Sequence, residues 1–115
     1  AGVVGITSKP SQTNQQINSI VFYKPNNVYF FYALMSQMKE QLDALGSNGS
    51  TFTNVNKNKF ENMEVFIPNQ KVLNEFAEEF EHPFKLILTL QKQNTKLREA
   101  RDILLPKLMN GQIEV

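Results

Sequence analysis

Uncharged hydrogen-bonding side chains are concentrated in two stretches within the first sixty residues. The first is TSKPSQTNQQINSIV over residues 7–21, and the second is GSNGSTFTNVNKN over residues 46–58. Amide and hydroxyl groups can donate to and accept from base edges in a DNA groove, and lysine can pair with guanine or with phosphate. The candidate DNA-contacting residues are Lys9, Gln12, Thr13, Asn14, Gln15, Ser50, Thr51, Thr53, Asn54, Asn56, Lys57 and Lys59.

The same two stretches also suit a structural role. Clusters of Asn, Ser and Thr beside strands commonly form turns and caps that satisfy their own backbone. Ile17 and Ile20 tie the first stretch to an apolar segment, so some of its amides are expected to hold that segment in place. Both interpretations stay open for any single residue, and those nearest the turn at Pro10 are the better candidates for facing DNA.

The charge distribution favours the same half of the chain. Residues 1–60 carry five lysines and two carboxylates, a net +3, whereas residues 61–115 carry seven basic and nine acidic side chains, a net −2. A polyanionic partner is therefore expected to meet the front half, although a charge of this size is a weak electrostatic signal.

Groups suited to catalysis or metal binding are scarce. The chain has no cysteine, its single histidine, His82, directly precedes Pro83, and it lacks the glycine-rich loops that bind phosphate. The acidic residues Glu78, Glu79 and Glu81 are typical of a solvated helix face. We therefore predict that the chain is not an enzyme, with no catalytic residue, no cofactor and no metal.

The same composition bears on location. The lack of cysteine fits a reducing cytoplasm, and no apolar run approaches the ~20 residues needed to span a bilayer. The chain starts AGVVG, without methionine or a signal-peptide pattern, which indicates an engineered boundary or an internal cut. We predict a cytoplasmic protein with no membrane association.

The front half is predicted to have an α+β fold, a small mixed or twisted β-sheet with one packed helix. Short β-branched segments at residues 1–6, 17–23 and 65–67 predict strands. Apolar residues at three- and four-residue spacing over 28–45 predict an amphipathic helix, with Asn27 as its N-cap and Gly46 just past its end.

The rear third predicts a long coiled-coil-type helix. With Leu73 as heptad position a, eight of the eleven a and d positions up to Leu108 are apolar. Pro83 is expected to separate a short helix over 70–81 from a long one over 84–105. Pro106 is expected to kink or end the long helix, and Gly111 follows as a stop. The seam favours pairing with a helix of a second copy or of another segment, rather than covering the sheet, which is the alternative. The expected pairing residues are Ile87, Leu90, Asn94, Leu97, Arg101, Leu104 and Leu108.

Three stretches together carry a resemblance to a known family. They are SKPSQTNQQINSI at 8–20, GSNGSTFTNVNKNKFENMEVFIP at 46–68 and LREARDILLPKLMNGQIEV at 97–115. This pattern resembles the DNA-specificity subunits of type I restriction–modification systems. In that family a target-recognition domain ends in Ile-Pro, and a long conserved helix finishes in Leu-Leu-Pro-x-Leu-Met-x-Gly. The resemblance implies that residues 1–68 are the later part of a target-recognition domain and residues 69–115 the C-terminal conserved helical region, a short helix and then a long pairing helix.

The resemblance also implies a function. A specificity subunit is a non-catalytic reader of a split DNA sequence, so the implied partners are double-stranded DNA and the modification (methyltransferase) subunits, with pairing of the long helix. By this resemblance the first part of the recognition domain is expected to be missing, so the alternative is a helical dimerisation or scaffold module without DNA binding of its own. The first reading predicts salt-sensitive, sequence-preferring DNA binding, and the second a concentration-dependent dimer alone.

Overall fold

The computed structural model describes residues 2–46 and 54–114 of the chain. Its helices are α1 (Asn27–Gln37), α2 (Lys39–Gly46), α3 (Lys57–Glu61) and α4 (Gln70–Met109). The chain divides into two compact units, Ala1–Phe80 and Glu81–Val115. The first unit holds α1, α2, α3 and the first turns of α4, and the second holds the remainder of α4.

The predicted α+β fold is wrong, because residues 2–46 and 54–114 form no β-strand and no sheet. The segments expected to be strands instead lie outside regular secondary structure, apart from residue 1, which is outside the described ranges. Val3, Val21 and Phe66 are 96%, 86% and 97% exposed. A strand is stabilised by a hydrogen-bonded neighbour and by packing on its faces, and β-branched composition alone supplies neither. The long C-terminal helix that formed the rest of this prediction is present.

The single helix predicted over residues 28–45 is divided at Met38 into α1 and α2. The backbone ladder nevertheless continues, since Met38 N–H donates to the Leu34 carbonyl at 3.1 Å and Leu42 N–H to the Met38 carbonyl at 2.9 Å. The expected cap also shifts by one residue. Asn26 occupies the N-cap position without a side-chain bond, and Asn27 is the first residue of α1.

The first unit has a small apolar core and a series of aromatic contacts. The ring of Phe31 lies 5.3 Å from that of Phe22 and 5.7 Å from that of Phe30. Phe30 in turn contacts Phe76 of α4 at 5.7 Å. Aromatic pairs of this kind stabilise by about 1 kcal/mol beyond their buried area. The buried apolar residues are Met35, Leu42, Leu73 and Ala77.

Polar side chains define where α4 begins. Asn69 Oδ1 accepts a hydrogen bond from the Val72 N–H at 3.0 Å, which is the N-cap interaction of a helix whose first residue is Gln70. Gln70 Nε2 donates to Asn27 Oδ1 and to Asn74 Oδ1, both at 2.9 Å. The start of α4 is thereby linked to the start of α1 by a hydrogen bond between their first residues.

The helix break expected at Pro83 is absent, because α4 continues through Pro83 and Pro106 to Met109. A proline inside a helix removes one backbone hydrogen bond, and the neighbouring turns can compensate. Glu81 and Lys85 lie on either side of Pro83 and form an ion pair at 2.7 Å. Exposed pairs at this spacing contribute about 0.3–0.5 kcal/mol, in support of the continued helix.

Gly111 lies just past the end of α4, as predicted, although the helix extends beyond the expected residue 105 to Met109. The φ of Gly111 is +70°, a conformation that glycine adopts without a steric cost. The Gly111 N–H donates to the Leu108 carbonyl at 3.2 Å, and the Gln112 N–H donates to the Lys107 carbonyl at 2.9 Å. This pair of bonds is the Schellman arrangement that satisfies the last carbonyls of a helix. No helix among the described residues has the length and apolar character to cross a membrane.

Candidate nucleic-acid interface

Hydrogen bonds give the first polar stretch a defined local shape. Asn14 Oδ1 accepts from the Gln16 N–H at 3.0 Å, and the Asn14 carbonyl accepts from the Ile17 N–H at 3.2 Å. The hydroxyl oxygens of Thr13 and Ser19 are hydrogen-bonded at 3.1 Å and close this loop. Thr13 and Asn14, which we predicted to contact DNA, therefore have bonding partners within the loop itself.

The other three predicted residues of this stretch are available for a partner. Lys9, Gln12 and Gln15 are exposed, and within the part of the chain that the structure describes their side chains make no hydrogen bond or ion pair. The Ser11 hydroxyl donates to the Lys9 carbonyl at 2.9 Å and orders the backbone between Lys9 and Gln12. The loop thus presents two free amides and one ammonium group to solvent.

The second polar stretch is only partly described. Asn56 is the N-cap of α3, and its side chain accepts from the Asn58 N–H at 2.8 Å. Lys59 is half-buried, and its Nζ donates to the Leu45 carbonyl at 3.3 Å. Asn56 and Lys59 therefore have structural contacts. The predicted residues Ser50, Thr51 and Thr53 lie outside the described residues.

Two predicted residues of this stretch face solvent. Asn54 is exposed, and the exposed Lys57 lies 3.6 Å from Glu61 across one turn of α3. An exposed pair at this distance is weak and is screened by salt, so the Lys57 ammonium can exchange Glu61 for a phosphate.

The structure brings the two polar stretches together. Asn18 Nδ2 donates to the Val55 carbonyl at 2.9 Å, across 37 residues of sequence. Both stretches also line one cleft of about 740 Å³ in the first unit, to which Gln16, Asn18 and Val55 contribute. Asn18 was not among the predicted site residues, because its position between Ile17 and Ile20 indicated a strand. Its amide in an otherwise apolar segment is the signal that could have identified it.

The predicted pairing residues lie on α4 in the second unit; Asn94 and Arg101 are exposed polar positions, and the other five form an exposed apolar stripe. Because residues three and four apart share a helix face, these side chains lie along one side of α4. Arg101, at one of the polar seam positions, bonds to the carboxylate of Asp102 through Nε at 3.0 Å and Nη2 at 2.9 Å. The exposed fractions are 49% for Ile87, 49% for Leu90, 67% for Leu97, 47% for Leu104 and 40% for Leu108.

The described residues include no group of three His, Cys, Asp or Glu side chains that could hold a metal ion. The chemistry that the described surface offers is hydrogen bonding by neutral amides, charge pairing by lysines and apolar packing along α4. Interactions of these three kinds serve the binding of a partner molecule rather than the catalysis of a reaction.

Residues 1–98 match the family described as the type I restriction modification DNA specificity domain. The chain belongs to this family. This type I specificity chain is 38% identical over 114 residues to the specificity subunit of the type I restriction enzyme HindI from Haemophilus influenzae, covering 97% of the chain and 25% of that protein. It is 32% identical over 87 residues to the specificity subunit of the enzyme MjaIX from Methanocaldococcus jannaschii, covering 76% of the chain and 20% of that protein. No solved structure matches the chain.

The family assignment confirms the resemblance that the three sequence stretches indicated. It also confirms that this chain is not an enzyme, because members of the specificity family are non-catalytic. The chain spans a quarter or less of the length of these two relatives, in keeping with a part of a longer subunit.

Proposed function

We propose that this chain is part of a DNA-specificity subunit whose first unit contacts one half-site of a double-stranded DNA sequence. The observation that carries the proposal is the pair of exposed amides of Gln12 and Gln15, which have no hydrogen bond to any described residue and are presented by a loop that Thr13, Asn14 and Ser19 close. A glutamine amide can bond to N6 and N7 of adenine at once and thereby distinguish adenine from the other bases. Membership of the specificity family supports DNA as the ligand.

The exposed lysines provide the phosphate contacts of this surface. Lys9 precedes the two amides, and Lys57 stands at the start of α3 in the second polar stretch. Phosphate contacts set the position of a protein on the duplex, and base contacts then select the sequence. Asn54, exposed beside Val55, is the corresponding candidate for base contact in the second stretch.

The proposal is tested on the full subunit assembled with its modification subunits, by mapping the sequence that the complex methylates and measuring duplex affinity. Gln12→Ala and Gln15→Ala are each expected to weaken cognate binding by about 1–3 kcal/mol and to relax selectivity at one base pair. Gln93→Ala is the matched control, since Gln93 is also an exposed amide and lies in the part of α4 that belongs to the second unit. If both loop variants bind the duplex with the same affinity and selectivity as the Gln93→Ala control, the proposal is contradicted.

We further propose that the apolar stripe on α4 pairs with another helix, in a second copy or in the same subunit, and docks the methyltransferase subunits. The five exposed Ile and Leu side chains at seam positions support this part. Apolar stripes of this length on a helix are stable when a partner removes them from water. The alternative of a scaffold module without DNA contact shares this helix pairing and lacks the salt-sensitive duplex binding. We place the assembled subunit in the cytoplasm, where it meets DNA.

A further inference from the structure

We propose that Asn18 is a positioning residue, which holds the two polar stretches of the first unit in one fixed arrangement for DNA recognition. The inference rests on the proposed function and deepens it, because it names the group that makes two separate stretches act as a single surface. Asn18 itself is not a base-contacting residue in this proposal.

The position of Asn18 differs from that of its neighbours. Every other residue from 11 to 20 is exposed, whereas Asn18 is half-buried and its Nδ2 lies 2.9 Å from the Val55 carbonyl oxygen. This distance is typical of a well-formed N–H···O hydrogen bond. Asn18 therefore turns its amide toward the second stretch, while Gln12 and Gln15 turn theirs toward solvent.

Each end of this hydrogen bond is joined to a locally ordered element. On one side, Asn18 directly precedes Ser19, whose hydroxyl closes the loop by bonding to Thr13. On the other side, Val55 directly precedes Asn56, the residue that caps α3. The bond from Asn18 therefore connects the loop that presents Gln12 and Gln15 to the helix that presents Lys57.

The local bonds at either end do not depend on Asn18. Loss of its amide leaves the loop closed by Thr13 and Ser19, and leaves α3 capped by Asn56, but removes this connection between them. Recognition requires the contacting groups to be held within about 0.5 Å of their productive positions by supporting residues. If Asn18 only stabilised the fold, its substitution would lower the free energy of unfolding and leave DNA selectivity unchanged. A positioning role instead predicts a loss of DNA selectivity.

The first test measures the positioning directly, without DNA. The chain contains no cysteine, so Gln12→Cys and Lys57→Cys place a spin label on each stretch without competing thiols in this chain. A narrow distance distribution is expected with Asn18 intact and with Asn18→Gln, which keeps a donor. A broader distribution is expected with Asn18→Leu, which keeps a branched side chain of similar shape and removes the donor.

Two outcomes of this measurement overturn the inference. One is an unchanged distribution in Asn18→Leu. The other is a broad distribution of distances between the two spin labels with Asn18 intact. This outcome would show that the two stretches are not held in one arrangement, even if Asn18→Leu fails to fold.

The second test uses the full subunit assembled with its modification subunits. Asn18→Leu is expected to lower cognate duplex affinity by about tenfold, comparable with one lost base contact, and to reduce selectivity over single-base changes. The dependence of binding on salt should stay as it is, because no phosphate contact is removed. The matched control is Asn62→Leu, since the Asn62 amide donates to the Asn58 carbonyl at 2.7 Å within the last turn of α3.

The failure of this inference and that of the proposed function are distinguishable. If Gln12→Ala and Gln15→Ala leave duplex binding unchanged, the proposed function fails. If those two variants weaken binding and Asn18→Leu binds and discriminates as Asn62→Leu does, only the positioning role of Asn18 is overturned.

Discussion

The ring of Phe30 in α1 meets the ring of Phe76 in α4 edge to face, with centroids 5.7 Å apart and an interplanar angle of 83°. Phe76 also stacks on Phe80, one turn later, at 4.3 Å. Phe76 is thus in contact with rings from both helices. Because the first unit has only four buried apolar residues among those described, we expect this aromatic contact to contribute measurably to its stability.

Phe76→Ala is expected to lower the free energy of unfolding by about 2–3 kcal/mol, below the range for a fully buried phenylalanine because Phe76 is half-buried. Denaturant unfolding followed by circular dichroism measures this change. The matched control is Phe66→Ala, at a ring 97% exposed, which should change the value by less than about 0.5 kcal/mol. Equal effects of the two substitutions would show that the Phe30–Phe76 contact is not stabilising.

Leu97→Asp is expected to abolish helix-mediated self-association, because it places a charge at the most exposed of the five apolar seam positions. Sedimentation velocity over a range of protein concentrations measures the effect. Thr95→Asp makes the same change in charge at an exposed residue about 200° away around α4, and should leave association intact. A chain that is monomeric at high concentration before any substitution would rule out self-pairing and leave pairing with a different helix.

Lys9→Ala is expected to weaken duplex binding by a similar factor for every sequence. It should reduce the slope of log affinity against log salt by about 0.9, the contribution of one phosphate contact. Binding isotherms at several salt concentrations measure the slope, with Lys92→Ala, an exposed lysine of the second unit, as the control. An altered preference among sequences would instead indicate that Lys9 contacts a base.

Gly111→Ala is expected to destabilise the end of α4 by about 1 kcal/mol, because its φ of +70° is unfavourable for a residue with a Cβ. Amide hydrogen exchange of residues 107–109 should become faster. Gly5→Ala is the control, since its φ is not positive and an added Cβ would meet no atom within 4 Å. Unchanged exchange in the last turn would mean that the two Schellman bonds tolerate an alanine.

Sequence reasoning succeeded where a feature depends on residue type and short-range spacing. The heptad pattern predicted helix over 70–81 and 84–105, and the structure has helix at all of these residues within α4 (Gln70–Met109), with Gly111 just past its end. The same reasoning failed at Pro83, since a proline costs a helix one hydrogen bond and the flanking turns of α4 continue regardless. It also failed for the three strand segments, because residues 2–46 and 54–114 supply no neighbouring strand with which their β-branched residues could pair.

The candidate site divides in the same way. The two polar stretches were identifiable from their composition, and for Lys9, Gln12 and Gln15 the structure leaves the prediction as it was made. It assigns local hydrogen bonds to Thr13, Asn14, Asn56 and Lys59, which composition could not distinguish from their neighbours. An amide or ammonium group has the same chemistry whether it bonds within the protein or faces solvent. Only the residues around it decide whether it has a hydrogen-bond partner within the protein.

By itself the sequence determined the family of this chain, the amide and lysine groups it offers to a partner, and the seam of its long helix. These properties depend on side-chain chemistry and on spacings of a few residues. Only the tertiary structure decided that the described chain has no sheet, which amides are free, and that Asn18 meets Val55 across 37 residues. The physical reason is that a hydrogen bond or a strand pairing between distant segments depends on where the chain places both partners. The spacing of residues within one segment carries information about that segment alone.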